Sequence, residues 1–111
     1  MSKYYSRKTI CRQGHKHDSA KEASRCNDLS LLEKAGEISN LVQQPKFVLM
    51  EGFRYEGKTI REIVYRADFM YLEKGATIIE DCKGYKTALY RLKRKLLLNK
   101  IKGKDLKFIE T

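Results

Sequence analysis

Between residues 19 and 36 the apolar positions fall at three- and four-residue intervals. Ala23, Cys26, Leu29 or Ser30, and Leu32 share one face of an α-helix at this spacing. Ser19-Ala-Lys-Glu22 matches a capping box, in which the Ser and Glu side chains satisfy donors that the first helical turn leaves open. Gly36 then ends the helix. From there the period changes. ISNLVQQPKFVLMEGFRYEGKTIREIVYRADFMY (38–71) is rich in β-branched and aromatic residues and is broken by Glu56-Gly57, which predicts a long antiparallel pair of strands. A third strand follows the Lys74-Gly75 turn. Thr87 caps a second helix running to about Ile101, with Leu89, Leu92, Leu96, Leu97 and Ile101 on one side. Asp105 to Ile109 supplies a last strand. Helix, three strands, helix, strand is the order of an α/β domain.

The length of 111 residues suits one domain, 1–111. Residues 1–13 are polar and basic, either loosely ordered or part of a small N-terminal hairpin at TICRQGHKH.

The most strand-like stretch, RADFMYLEKGATIIEDCKG (66–84), carries acids where a stable sheet prefers apolar residues. Strand side chains alternate, so Asp81 and Lys83 point one way while Glu80 and Cys82 point the other. With Lys74-Gly75 as the two turn residues, Glu73 pairs with Ala76, and counting outward sets Asp68 directly opposite Asp81. Such partners have Cβ atoms roughly 5 Å apart, and like charges there repel; a three-residue loop would shift the register by one and make the pair diagonal, with the carboxylates still close. A shared proton, a neighbouring Lys or Arg, or a divalent cation would relieve the repulsion.

Charge narrows that choice. Lys and Arg number 24 against 14 Asp and Glu, a formal net charge of +10, which attracts polyanions such as nucleic acid. The richest apolar run, Leu96 to Leu98, is far too short to span a bilayer, so no membrane partner is expected. MSKYYSRKTI lacks an apolar signal core, and three cysteines without framework spacing fit a reducing compartment, so the expected location is cytoplasmic. In a nucleic-acid-seeking protein, paired hard oxygen ligands suit Mg²⁺, with Mn²⁺ as a substitute, and phosphodiester hydrolysis is the natural chemistry. Lys83 beside them would orient water and stabilise developing charge, or act as a base.

Asp68 followed by Asp81-Cys82-Lys83 on the next strand resembles the D…(D/E)xK signature of the PD-(D/E)xK nuclease superfamily, whose restriction-endonuclease-like core is a mixed sheet flanked by helices in the order predicted above. DSAKEA (18–23), LVQQPKFVL (41–49), YRADFMY (65–71), IIEDCKG (78–84) and YRLKRKLL (90–97) are similar to blocks of a family of short phage-encoded proteins grouped with these nucleases. The resemblance covers roughly 14–111. It implies catalytic roles for Glu22, Asp68, Asp81 and Lys83. It also implies metal ligation by Asp68, Asp81, the backbone carbonyl of Cys82, and Glu22 directly or through water. Host cytoplasm would then be the location. Ala67 replaces the name-giving Pro, and Asp81 reaches one methylene less than the usual Glu.

Lys86, Tyr90 and Lys93 lie near the start of the second helix, where backbone donors favour an anion, and with Arg94 they are the candidate DNA contacts. Arg91, Arg94, Lys95 and Lys102 form a basic stripe opposite the leucines. Cys11, His15, His17 and Cys26 fit no common zinc spacing, so zinc is not expected. The expected function is a metal-dependent DNA endonuclease acting in phage recombination, replication or packaging. Its rival is a nucleic-acid-binding protein that keeps the fold without the chemistry. A homodimer would present two sites to symmetric branched DNA.

Overall fold

The computed structural model describes residues 9–10, 16–17, 20–82 and 86–111. Thr9–Ile10 (β1) pairs antiparallel with Lys16–His17 (β2), a hairpin within TICRQGHKH. Helix α1 spans Ala20–Lys34 and buries Glu22, Ala23, Cys26, Leu29 and Ser30, the face its spacing predicts. It ends as expected at Gly36, whose φ of +81° lets the Gly36 amide reach the Glu33 carbonyl and the Glu37 amide reach that of Leu32. Ser19, the other half of the capping box, lies outside the described residues.

The long antiparallel pair is present but bent. Its outgoing side is β3 (Ser39–Gln43) and β4 (Lys46–Met50). A short hairpin, β5 (Phe53–Tyr55) and β6 (Lys58–Ile60), turns through Glu56-Gly57, and β7 (Ile63–Arg66) and β8 (Phe69–Glu73) return. β4 pairs with β7 and β3 with β8, so the bend falls between residues 43 and 46 on one strand and 66 and 69 on the other. The Lys74-Gly75 turn, both residues left-handed, leads to β9 (Ala76–Asp81), with Glu73 opposite Ala76 as counted from sequence. Helix α2 (Ala88–Ile101) then crosses to β10 (Leu106–Glu110), which lies parallel to β9. The result is a mixed four-stranded sheet in the order β10-β9-β8-β3, from which the β4/β7 arm departs. The chain is mixed α/β.

The two helices serve two cores. One gathers Ala23, Cys26 and Leu29 of α1 with Ile38, Phe69, Tyr71 and Ile78. The other gathers Leu97 and Ile101 of α2 with Tyr65, Ala67 and Ile79. Thr87 caps α2 as expected, its Oγ1 accepting from the Tyr90 amide at 3.0 Å. One expectation on this helix fails. Leu89, Leu92 and Leu96 do not join Leu97 and Ile101; they are 59%, 54% and 37% exposed. The leucine stripe is wider than the strip that β4, β7 and β10 cover, and Tyr90 and Arg94 turn inward with Leu97 instead. Among the described residues no helix is long and apolar enough to cross a membrane.

The buried face of α2 is tested by two substitutions. Leu97→Ala is expected to lower unfolding free energy by about 2–5 kcal/mol, and Leu92→Ala to change it by no more than about 0.5 kcal/mol. Urea unfolding followed by circular dichroism checks both.

Candidate functional site

The bend in the long hairpin positions the candidate acids. Tyr65 and Ala67 sit in the α2 core, whereas Phe69 and Tyr71 sit in the α1 core. Residues of equal parity share one face of a regular strand, so the alternation changes phase at Asp68. The backbone shows how. The Asp68 amide donates to the Glu80 carbonyl at 3.2 Å, and Glu80 is also the ladder partner of Phe69. Two residues facing one is a β-bulge, a device that re-aims a side chain. Gln44, with φ +51°, donates its amide to the Asp68 carbonyl at 2.9 Å, and Ala67 donates to the Pro45 carbonyl at 3.1 Å.

This corrects the expected register. Asp68 is not the cross-strand partner of Asp81, because the regular ladder stops at Phe69–Glu80. Its Oδ2 instead accepts the Cys82 amide at 2.7 Å. Asp68 and Asp81 therefore meet at the same peptide unit, Asp68 through its side chain and Asp81 as the residue that begins it. The contact with Cys82 runs through the amide.

Alternation along β9 holds as predicted. The Asp81 carboxylate, with no solvent exposure, turns to the α2 layer and accepts from the Tyr65 hydroxyl. Burial first, and then that hydrogen bond, raises the Tyr65 phenol far above its usual range. Tyr65 interacts in turn with Tyr90, whose hydroxyl donates to Glu110, so side-chain contacts run from Asp81 to the surface of α2. Glu80 turns to the α1 layer, fully buried. Arg25 grips it with Nε–Oε2 at 2.5 Å and Nη2–Oε1 at 3.1 Å, Tyr71 donates at 2.6 Å, and Thr111 at 3.0 Å. The hydrogen bond to Glu80 raises the Arg25 guanidinium further above an already high value.

Glu22 is buried on the first turn of α1, 4% exposed. Cys82, whose amide donates to Asp68, carries a partly buried thiol. Burial raises that thiol, a hydrogen bond with Thr111 opposes, and the charges of Asp68, Glu80 and Glu22 raise it further. Asp68 thus meets the Cys82 amide, Glu80 faces the α1 layer in which Glu22 is also buried, and Asp81 faces the other layer. What the sequence does not give is the set of partners of Glu80, namely Arg25, Tyr71 and Thr111. Strand parity gives only its side of β9, opposite to that of Asp81. Lys83 lies outside the described residues, as do Cys11 and His15. Cys26 is a core residue with no exposure.

The candidate DNA contacts divide. Lys86, Tyr90 and Arg94 converge on Glu110, with Lys86 Nζ at 3.3 Å and Arg94 Nε at 3.4 Å, and Arg94 stacks 5.5 Å above the Phe108 ring centroid. Lys93 instead lines a cavity of about 370 Å³ with Arg66, Thr87, Tyr65 and Tyr90. That cavity opens beside the Tyr65 that holds Asp81.

Residues 1–110 match the family described as "Protein of unknown function (DUF1064)", and the chain belongs to that family. No curated protein and no solved structure matches it.

Two measurements test these networks. Glu80→Ala is expected to lower unfolding free energy by about 3 kcal/mol, the lower end for breaking a buried ion pair, because the Arg25 side chain keeps 29% of its surface in water. Glu110 is held below the ordinary carboxyl value of 4.5, first by the Tyr90 hydrogen bond and further by Lys86 and Arg94. Its stabilisation is therefore complete above 4.5 and is lost as pH falls through the lower folded value. The stability gap between wild type and Glu110→Gln should stay constant near neutral pH and shrink below 4.5 in urea titrations.

Proposed function

We propose that the chain is a Mg²⁺-dependent deoxyribonuclease of PD-(D/E)xK type, with a restriction-endonuclease-like core, acting as an endonuclease on phosphodiester bonds. The observation that carries this reading is Asp68 at the fork of the sheet, re-aimed by a bulge onto the peptide that follows Asp81, with Glu22 buried on the first turn of α1. Buried carboxylates are costly unless a partner or a metal offsets the burial. A chain of net charge +10 that concentrates acids at one fork is built to bring a polyanion and a cation together.

The donor set favours a hard cation. Asp68, Asp81 and Glu22 offer carboxylate oxygens, and the soft ligand beside them, Cys82, keeps its proton near neutrality because its thiol is raised. Among the described residues no three His, Cys, Asp or Glu side chains converge on one point. Mg²⁺ needs only one or two carboxylates, with water and substrate phosphate completing its shell. Bound there, it would polarise the scissile phosphate and lower the pKa of an attacking water.

The chain's own residues do the rest. Asp68 is anchored through its backbone to Glu80 and Gln44, so its carboxylate is preorganised. Tyr65 holds Asp81 until the site is loaded. Lys93 and Arg66, at the cavity beside Tyr65, accept the DNA backbone, while Lys86, Tyr90 and Arg94 form a second, partly neutralised patch around Glu110. Lys83, two residues beyond Asp81, stabilises charge on the phosphate.

A second reading draws on one specific contact. The Tyr65 hydroxyl keeps the Asp81 carboxylate in the α2 layer, away from the Asp68 contact with Cys82, as a binding protein without chemistry would tolerate. The readings separate in one assay. Purified protein with Mg²⁺ or Mn²⁺ is expected to cut a labelled DNA panel of linear, branched and single-stranded forms. Asp68→Ala, Asp81→Ala and Lys83→Ala should each lose about a hundredfold or more. Absence of cleavage by the wild type, with DNA binding intact and no heat of metal binding in calorimetry, would leave the binding protein. Either way affinity should fall with salt, by a slope of about −0.9 per phosphate neutralised on duplex DNA.

A further inference from the structure

The β5–β6 hairpin stands apart from the site and from both cores. Among the described residues its two strands pack on each other and on no other helix or strand. A lone two-stranded hairpin is marginal in water, so this one needs its own devices. Glu56 and Gly57 both take left-handed φ values, +48° and +79°, giving the turn whose twist matches the strands. Arg54 locks it from one side, donating to the Gly57 carbonyl at 2.7 Å and to Thr59 Oγ1 at 3.0 Å. At its root Gly52 permits close approach, since a Cβ there would stand 3.1 Å from the Ile60 carbonyl oxygen.

The other side is left to solvent. The pairs Phe53–Ile60 and Tyr55–Lys58 put these four residues on one face, with Arg54 and Thr59 on the opposite one. Phe53 is 48% exposed and Tyr55 61%. These rings lie two residues apart on a braced ribbon, and the sole charge that β5 and β6 place on their face is the cation of Lys58. Aromatic rings beside a cation form a platform on which bases stack while the cation meets the adjoining phosphate. A second copy of the chain would bring another +10 molecule and another Lys58 against this face, which charge opposes.

We propose that the β5–β6 hairpin is an arm for unpaired nucleotides: Phe53 and Tyr55 stack on bases exposed in single-stranded or branched DNA, and Lys58 contacts the neighbouring phosphate. The inference rests on the nucleic-acid reading above and names the form of its substrate, but it does not require catalysis. Because, among the described residues, the arm packs on neither core, its residues are expected to tolerate change without unfolding the protein.

The test is fluorescence anisotropy of the full chain in EDTA, with labelled single-stranded, forked and blunt duplex oligonucleotides. Wild type is expected to prefer the single-stranded and forked probes. Phe53→Ala/Tyr55→Ala should weaken those two by about tenfold or more, leave the blunt duplex within about twofold and keep the unfolding midpoint. Tyr55→Trp, which retains a ring, should hold wild-type affinity. Equal loss on all three probes overturns the arm, as does no loss on any. So does a change from dimer to monomer in sedimentation with DNA affinity unchanged. If wild type shows the preference in EDTA yet never cleaves with Mg²⁺, the nuclease reading falls and the arm stands. If it cleaves and the arm variants bind as wild type does, the arm falls alone.

Discussion

Asp68 is the residue on which three strands depend. Its amide is taken by Glu80, its carbonyl by Gln44 and its carboxylate by the Cys82 amide, so one residue ties β8 to β9 and to the bend after β3. A regular strand would have continued past this point and kept β7 against the end of β9. The bulge breaks that continuity. β4 and β7 leave the sheet, the side-chain alternation changes phase, and a fork opens at the end of β9. Asp68 sits where the β8–β9 ladder has ended, while the parallel ladder to β10 continues through Asp81. An Asp suits this position because its short carboxylate can replace a strand partner for the Cys82 amide.

The fork separates two electrostatic solutions. On the α1 side Glu80 is fully compensated by Arg25, Tyr71 and Thr111, which fastens the ends of β9 and β10 to the first helix. Glu22 is buried in the same layer, and the Cys82 thiol is raised first by burial and further by the charges of Asp68, Glu80 and Glu22. On the α2 side Asp81 accepts from the Tyr65 hydroxyl, while Lys86, Arg94 and the Tyr90 hydroxyl meet Glu110. A buried ion pair holds the frame, and a softer set of contacts holds the acid nearest Lys83 in sequence. That asymmetry suits a site in which one carboxylate is scaffold and another is exchangeable.

Much of the architecture was legible in the residues. Gly36 and Thr87 mark helix ends through specific backbone chemistry, and of the two loop lengths open to Lys74-Gly75 the structure adopts the two-residue left-handed turn that pairs Glu73 with Ala76. The bulge at Asp68 was not, since no residue type demands one there and the register count assumes a regular ladder. The exposed leucines of α2 were misassigned because periodicity shows which residues share a face, while the width of the covering surface decides which are buried. Strand parity separates Glu80 from Asp81 correctly, whereas the helix that covers its face is fixed only by the packing of α1. The exposed rings of β5–β6 follow from the fact that, among the described residues, no other helix or strand packs against that hairpin, which only tertiary structure reveals.

The central claim is that the fork at Asp68 is a cation site. A crystal of the full chain soaked in Mn²⁺ and measured at the manganese absorption edge addresses it directly. The account predicts an anomalous peak within coordination distance of the Asp68 carboxylate and shared with Asp81, whose side chain has left Tyr65. A peak confined to other surface acids, or none at the fork with Asp81 still on Tyr65, would contradict it.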